Sequence, residues 1–180
     1  PRNYSPIFLK IKYSMLVIDP DTLNKIKSLD YKKEPHIGLT NTVHPEICYD
    51  QNQHYNTGHA IAEGMDWNWT NSFVPTDWID VGLAFDRADP GYIIPWHIDH
   101  FANYCNRFGH DRTKVKRRLV FLEDWKTGHY FQLENVVYHH WRQGEYVEWS
   151  SQQGHMGANV GSEPRYTLQI TGVPNESSVT

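Results

Sequence analysis

Residues 91–101 read GYIIPWHIDHF. A short apolar run ends in His97, Asp99 and His100. Side chains alternate along an extended chain, so His97 and Asp99 share one face while Ile98 and His100 take the other. An imidazole nitrogen beside a carboxylate oxygen is a pair of ligands for one divalent cation. Two ligands do not make a site, so a third must come from another segment. The downstream histidines are His110, His129, His139, His140 and His155.

His155 is set apart by its sequel, GHMGANVGSEPRYTLQITG over residues 154–172. Arg165 stands ten residues beyond it, and Thr167 follows. If His155 begins one strand and Arg165 the next, a hairpin brings both to one barrel mouth. A guanidinium fork pairs a carboxylate bidentately, and a neighbouring hydroxyl adds a hydrogen bond. His139 and His140 are adjacent, hence on opposite faces, and no arginine follows them at hairpin distance. Two His and one Asp on one side of a cation leave about three octahedral positions open, the facial triad of non-haem Fe(II) oxygenases. A 2-oxo acid fills two of these and O2 the last.

The pattern His97-x-Asp99…His155, followed by Arg165-x-Thr167, resembles the Fe(II)/2-oxoglutarate-dependent oxygenase superfamily over roughly residues 77–173. The run WRQGEYVEWSSQQGHMGANVGSEPRYTLQITG is similar to the C-terminal half of aspartyl/asparaginyl-hydroxylase-like and phage-type members. Trp141, Gly144-Glu145, His155, Asn159 and Arg165 carry that likeness. The resemblance implies a double-stranded β-helix of jelly-roll, cupin-like type. It implies Fe(II) held by a catalytic His97, Asp99 and His155, with O2 as oxidant. It implies 2-oxoglutarate held at its far carboxylate by Arg165 with Thr167, and converted to succinate and CO2. The coupled step is hydroxylation of an unactivated C–H in an amino acid, a peptidyl side chain or a small polar metabolite. Related halogenases carry a small residue at the carboxylate position, so Asp99 favours hydroxylation or desaturation. Members often have a basic residue on a middle strand that also touches 2-oxoglutarate. Arg118 is the candidate, with Arg117 adjacent and on the opposite face. Asn159 either orients a ligand or makes a turn.

These groups need elements to position them. From about residue 77 the chain reads as short strands separated by turn signals: WIDVGLAF, GYIIPWHID, RRLVFLEDW, HYFQLENVVYHHW, GEYVEWS, GHMGANVG and RYTLQITGV. This spacing predicts a sandwich or barrel. On the last strand Arg165, Thr167 and Gln169 share one face, and Tyr166, Leu168 and Ile170 the other. Upstream, IFLKIKYSMLVI over residues 7–18 reads as a strand. Asp19 as cap, Pro20 at the first position, and Leu23, Ile26 and Leu29 on one face predict a helix. Residues 30–76 read as loops over the substrate, with a short helix in YNTGHAIAEGMDW. DWNWTNSF, residues 66–73, serves as a lid or as half-buried packing. Trp96 is expected to pack in the barrel and Trp149 to wall the pocket. The expectation is one domain over 1–180, with the core at 77–173 and substrate loops at 1–76.

The bulk numbers narrow the classes. Net charge is −4, with 17 basic and 21 acidic residues, which argues against duplex nucleic acid as partner. The basic run RTKVKRR, 112–118, reads as a protected sheet edge. No run reaches the ~18 apolar residues that span a bilayer, and no secretory signal is visible. The two cysteines form no framework, so a reducing, cytoplasmic compartment is expected and the two N-x-[ST] matches are discounted. Eleven histidines and 14% aromatics suit a ligand-binding protein with aromatic walls. Two other functions fit the same residues. One is a cupin-type Zn or Mn hydrolase or isomerase, which has no need of Arg165. The other is a non-catalytic jelly-roll binding module.

Overall fold

The computed structural model describes residues 18–33, 57–60 and 68–175. Helix α1 (Pro20–Lys27) begins where the cap signals place it. The Asp19 carboxylate accepts from the Thr22 amide at 2.9 Å, satisfying one of the free N–H groups of the first turn. Its inward residue Ile26 is fully buried. The strand expected at 7–18 lies outside the described residues, apart from Ile18. Short strands β1 (Lys32–Lys33) and β2 (Thr57–Ala60) follow. Residues 57–60, inside the stretch expected to hold a short helix, are a strand paired antiparallel with the next one; the rest of that stretch lies outside the described residues.

The core strands are β3 (Trp78–Ala88), β4 (Tyr92–Ile98), β5 (Lys116–Phe121), β6 (His129–Leu133), β7 (Val136–Tyr138), β8 (Tyr146–Ser150), β9 (Gly154–Asn159) and β10 (Arg165–Pro174). They form one sheet ordered β1-β2-β3-β10-β5-β8 and another ordered β4-β9-β6-β7. All pairings are antiparallel. β3 and β4 fall in opposite sheets, as do β9 and β10, so the chain winds back and forth between facing layers. That is the strand order of a jelly roll, or double-stranded β-helix. The fold is mainly β with a flanking helix, as expected. A second helix, α2 (Ala102–Phe108), was not anticipated; it closes on Gly109 in the left-handed region, φ 75°.

Alternation sorts the side chains into two cores. Tyr166, Leu168 and Ile170 join Ile26, Phe73, Phe85 and Val120 between the large sheet and the N-terminal elements. Leu119, Phe121, Phe131, Leu133, Val147 and Trp149 pack between the sheets. Each such side chain contributes about 1.5–3 kcal/mol through burial. Asn68–Ser72 forms a short 3-10 helix. Its Trp69 stacks on Phe85 at 6.1 Å and Phe73 is fully buried, so these described aromatics are packing rather than a lid.

Two sequence expectations change here. β9 and β10 are not a hairpin: they belong to opposing sheets, and His155 and Arg165 line one cavity from its two sides. β5 is flanked by β10 and β8, so the basic run is no sheet edge; β8 is. Among the described residues no helix is long and apolar enough to cross a membrane.

Candidate metal centre

β4 carries the first ligand and is irregular where it does so. Ile94 pairs with Gly157 and His97 with His155, so three steps on β4 match two on β9. This is a β-bulge. Pro95 sits within it, where the missing N–H costs no ladder bond. The extra residue resets the alternation. Tyr92 and Ile94 face inward before the bulge, and His97 does so after it. Trp96 is thereby turned outward over Gly154, where a Cβ would lie 2.5 Å from its ring. Trp96 therefore packs against the outer face of the sheet rather than inside the barrel, where it was expected.

His97, Asp99 and His155 bring one ligand atom each within 4.8 Å of one another. His97 Nε2 lies 3.7 Å from Asp99 Oδ1, and His155 Nε2 lies 3.6 Å from Asp99 Oδ2. Each imidazole Nδ1 is turned to a backbone carbonyl, His97 to Pro95 O at 2.8 Å and His155 to Gln153 O at 3.3 Å. Nδ1–H donation to those carbonyls leaves both Nε2 lone pairs free for a metal. Burial pulls the His155 pKa down to about 4, against the opposing charge of Asp99. It is therefore a neutral ligand at pH 7. Burial would raise the Asp99 pKa, but Arg117 and the two histidines outweigh it and hold the carboxyl well below its usual range. An ionised carboxylate, a neutral His155 and the His97 imidazole converging at this spacing fit a divalent first-row metal.

The rest of the site lies in a cavity of about 60 Å³. Arg117, Leu119 and Trp149 on the large sheet, and Phe131, His155 and Gly157 on the small one, line it together with Arg165. Arg165 is 7% exposed. Its Nη1 donates to Tyr130 O at 2.7 Å and Ala158 O at 3.2 Å. Its Nε is buried with no hydrogen-bond partner among the described residues. Burial lowers its pKa, with Tyr92 and Asp86 opposing. Gly157 makes room for the approach, since a Cβ there would meet Arg165 Nη2 at 3.2 Å. Buried Asp86 lines the same cavity.

Other candidates go elsewhere. Thr167 is buried on the inward face of β10 but does not line the cavity. Arg118 faces the opposite side from the one expected. It bonds Glu148 Oε2 at 2.9 Å and Phe73 O at 2.5 Å, and lies over the Tyr146 ring. The register puts Arg117 inward with Leu119 and Phe121, so Arg117 is the arginine of β5 that lines the cavity beside Arg165. Asn159 holds a turn: its amide donates to Ala88 O and Glu163 O, both at 2.8 Å, and accepts from Gly161 N. Both its amide N–H groups are spent on the turn and its oxygen is engaged there too, so it is a turn residue in this fold. His100 is exposed and meets Arg112. Sequence reasoning missed Asp86; its inward phase on β3 was the available signal.

No family model and no curated protein matches the chain. Solved structures similar to it include a prolyl-4-hydroxylase from Pseudomonas putida, at 14% identity and TM-score 0.48, over 66% of this chain and 73% of that one. KdgF from Halomonas sp. matches at 8% identity and TM-score 0.41, over 68% and 84%. An uncharacterized conserved protein with a double-stranded β-helix domain from Klebsiella pneumoniae matches at 17% and TM-score 0.38, over 57% and 73%. The fold assignment rests on the strand order above, and no activity is transferred from these proteins.

Proposed function

We propose that this protein is a non-haem Fe(II)/2-oxoglutarate-dependent hydroxylase acting on an unactivated C–H of an amino acid, a peptidyl side chain or a small polar metabolite. The supporting observation is a single cavity walled by His97, His155 and Arg165, with Arg165 itself buried and its Nε without a hydrogen-bond partner among the described residues. A buried guanidinium with a spare donor calls for an anion. His97, Asp99 and His155 would hold Fe(II), and Arg165 the far carboxylate of 2-oxoglutarate. Bound together, these supply oxidation by O2 with release of succinate and CO2. The chain's own part is to keep His155 neutral, keep Asp99 ionised, and exclude water with Phe131, Leu119 and Trp149. Arg117 and Trp149 fix the carboxylate ligand from behind.

One observation favours a second reading. Asp86 shares the cavity, and a buried carboxylate there is the general base that a Zn or Mn hydrolase or isomerase needs. Anaerobic titration with Fe(II), then 2-oxoglutarate, separates the two. The oxygenase gives a weak visible charge-transfer band, absent in Asp99→Ala and weakened in Arg165→Ala. In Arg165→Lys the apparent KM for 2-oxoglutarate rises about ten-fold or more while metal affinity holds, because Lys lacks the bidentate fork. Tight Zn²⁺ binding without any band selects the hydrolase.

A further inference from the structure

The two sheets do not close on each other at every edge. β7 ends the small sheet and β8 ends the large one, and the seam between them holds a second cavity of about 120 Å³. It shares no lining residue with the cavity of the metal centre. Its walls are Phe121, Trp141, Val136 and Val137. Phe121 and Trp141 stack face to face at 3.9 Å, which makes that wall rigid and apolar. Val137 is 44% exposed and marks the side open to solvent.

Glu145, Tyr138 and His139 bring polar groups to this cleft, and the His139 ring nitrogen is engaged with His140. Glu145 is only 7% exposed, as is Tyr138. Neither carboxylate nor phenol has a hydrogen bond or ion pair among the described residues. Glu145 is held in place by its backbone: its N–H donates to Arg142 O at 3.0 Å, and its carbonyl accepts from Phe121 N at 2.9 Å. The nearby cations are engaged elsewhere. Arg142 reaches out to Asp124, and Arg118 lies on the far face of the sheet with Glu148. A carboxylate beside apolar walls is an acceptor that a donating cation can pair with while its carbons cover those walls.

We propose that this seam binds a small organic cation, a primary alkylammonium that donates to Glu145 and Tyr138 and lays its hydrocarbon body on Phe121, Trp141 and Val136. The carboxylate accepts only, so the partner must donate. The apolar walls exclude a bare hydrated metal ion and favour a few carbons behind the charge. An apolar pocket with a small number of convergent polar groups is the usual form of a small-molecule site.

The test is calorimetric titration of the wild-type protein with n-butylammonium, 1-butanol and butyrate, with ligand-observed NMR alongside. Saturable one-to-one binding of butylammonium is expected. It should weaken at least about ten-fold in Glu145→Gln, the loss of one charge-assisted hydrogen bond. Butanol should bind the wild type at least about ten-fold more weakly, and butyrate not at all. Excess 2-oxoglutarate should leave butylammonium in place. Absence of butylammonium binding overturns the proposal, as does displacement by 2-oxoglutarate. If Glu145→Gln does not fold, the wild-type preference for butylammonium over butanol decides, and equal affinity for the two refutes the site.

Discussion

At Asp99 the two carboxylate oxygens are not equivalent. Oδ2 takes Arg117 Nη1 at 3.1 Å and the indole N–H of Trp149 at 3.0 Å. Oδ1 is left toward His97. Arg117 is itself held by Thr171 Oγ1 and by the Phe101 ring. The clamp favours a single-oxygen ligand and keeps it ionised in a buried place. Removing such a partner commonly costs 10–100-fold in metal affinity. Arg117→Gln should therefore weaken Co²⁺ or Fe²⁺ binding by roughly that factor, read by anaerobic calorimetry. Arg118→Gln, on the other face of β5, should lower stability and leave metal affinity within about two-fold. Equal losses in the two variants would refute the clamp. The choice between these neighbours was not legible in the sequence. Both are arginines on one strand, and only the pairing of Arg117 with Thr171 and Trp149 settles which faces inward.

Among the elements, β9 does most to assemble the centre. It presents His155 inward, and glycines at two other positions make room for neighbours. Gly154 lets Trp96 lie flat on the sheet, which seats the bulge that aims His97. Gly157 lets Arg165 approach from the opposite sheet. A methyl at each should act on a different ligand. Gly154→Ala must displace the Trp96 ring, so it should cost about 1–3 kcal/mol of stability and weaken metal binding. Gly157→Ala should raise the apparent Kd for 2-oxoglutarate several-fold and spare the metal. Urea unfolding and paired metal and 2-oxoglutarate titrations read both. Ligand types and spacing were legible because strand alternation reaches over two residues, from His97 to Asp99. The bulge was not: alternation run straight from Tyr92 and Ile94 puts Trp96 inside. Nor was the sheet switch after Asn159, because a five-residue link joins strands of one sheet or of two equally well.

For the molecule as a whole, the metal centre is a cost that the fold carries until it is loaded. Burial keeps His155 neutral, with its pKa lowered from 6.5 to about 4. In the unfolded chain it protonates near 6.5. As pH falls below 6.5 the unfolded state binds more protons than the folded one, so stability is lost until about pH 4. The ceiling on that loss is roughly 3 kcal/mol. Asp99, lowered instead by Arg117 and the histidines, acts in a separate window: its contribution holds above its ordinary pKa of 3.8 and fades below it. Urea midpoints of the metal-free protein should therefore drop between pH 6.5 and 4, and His155→Gln should shrink that limb to the part left by His129, whose pKa burial also lowers, while leaving the one below pH 4. Metal binding adds its own linkage. At about a hundred-fold excess over Kd a divalent ion contributes about 2.7 kcal/mol, or a rise of roughly 5–10 °C in Tm for a chain of this size. Protons compete for the same nitrogens, so this increment should shrink as pH falls through the His155 window. A His155→Gln protein that keeps the full acid limb, or a metal-induced Tm shift independent of pH, would remove His155 from the ligand set.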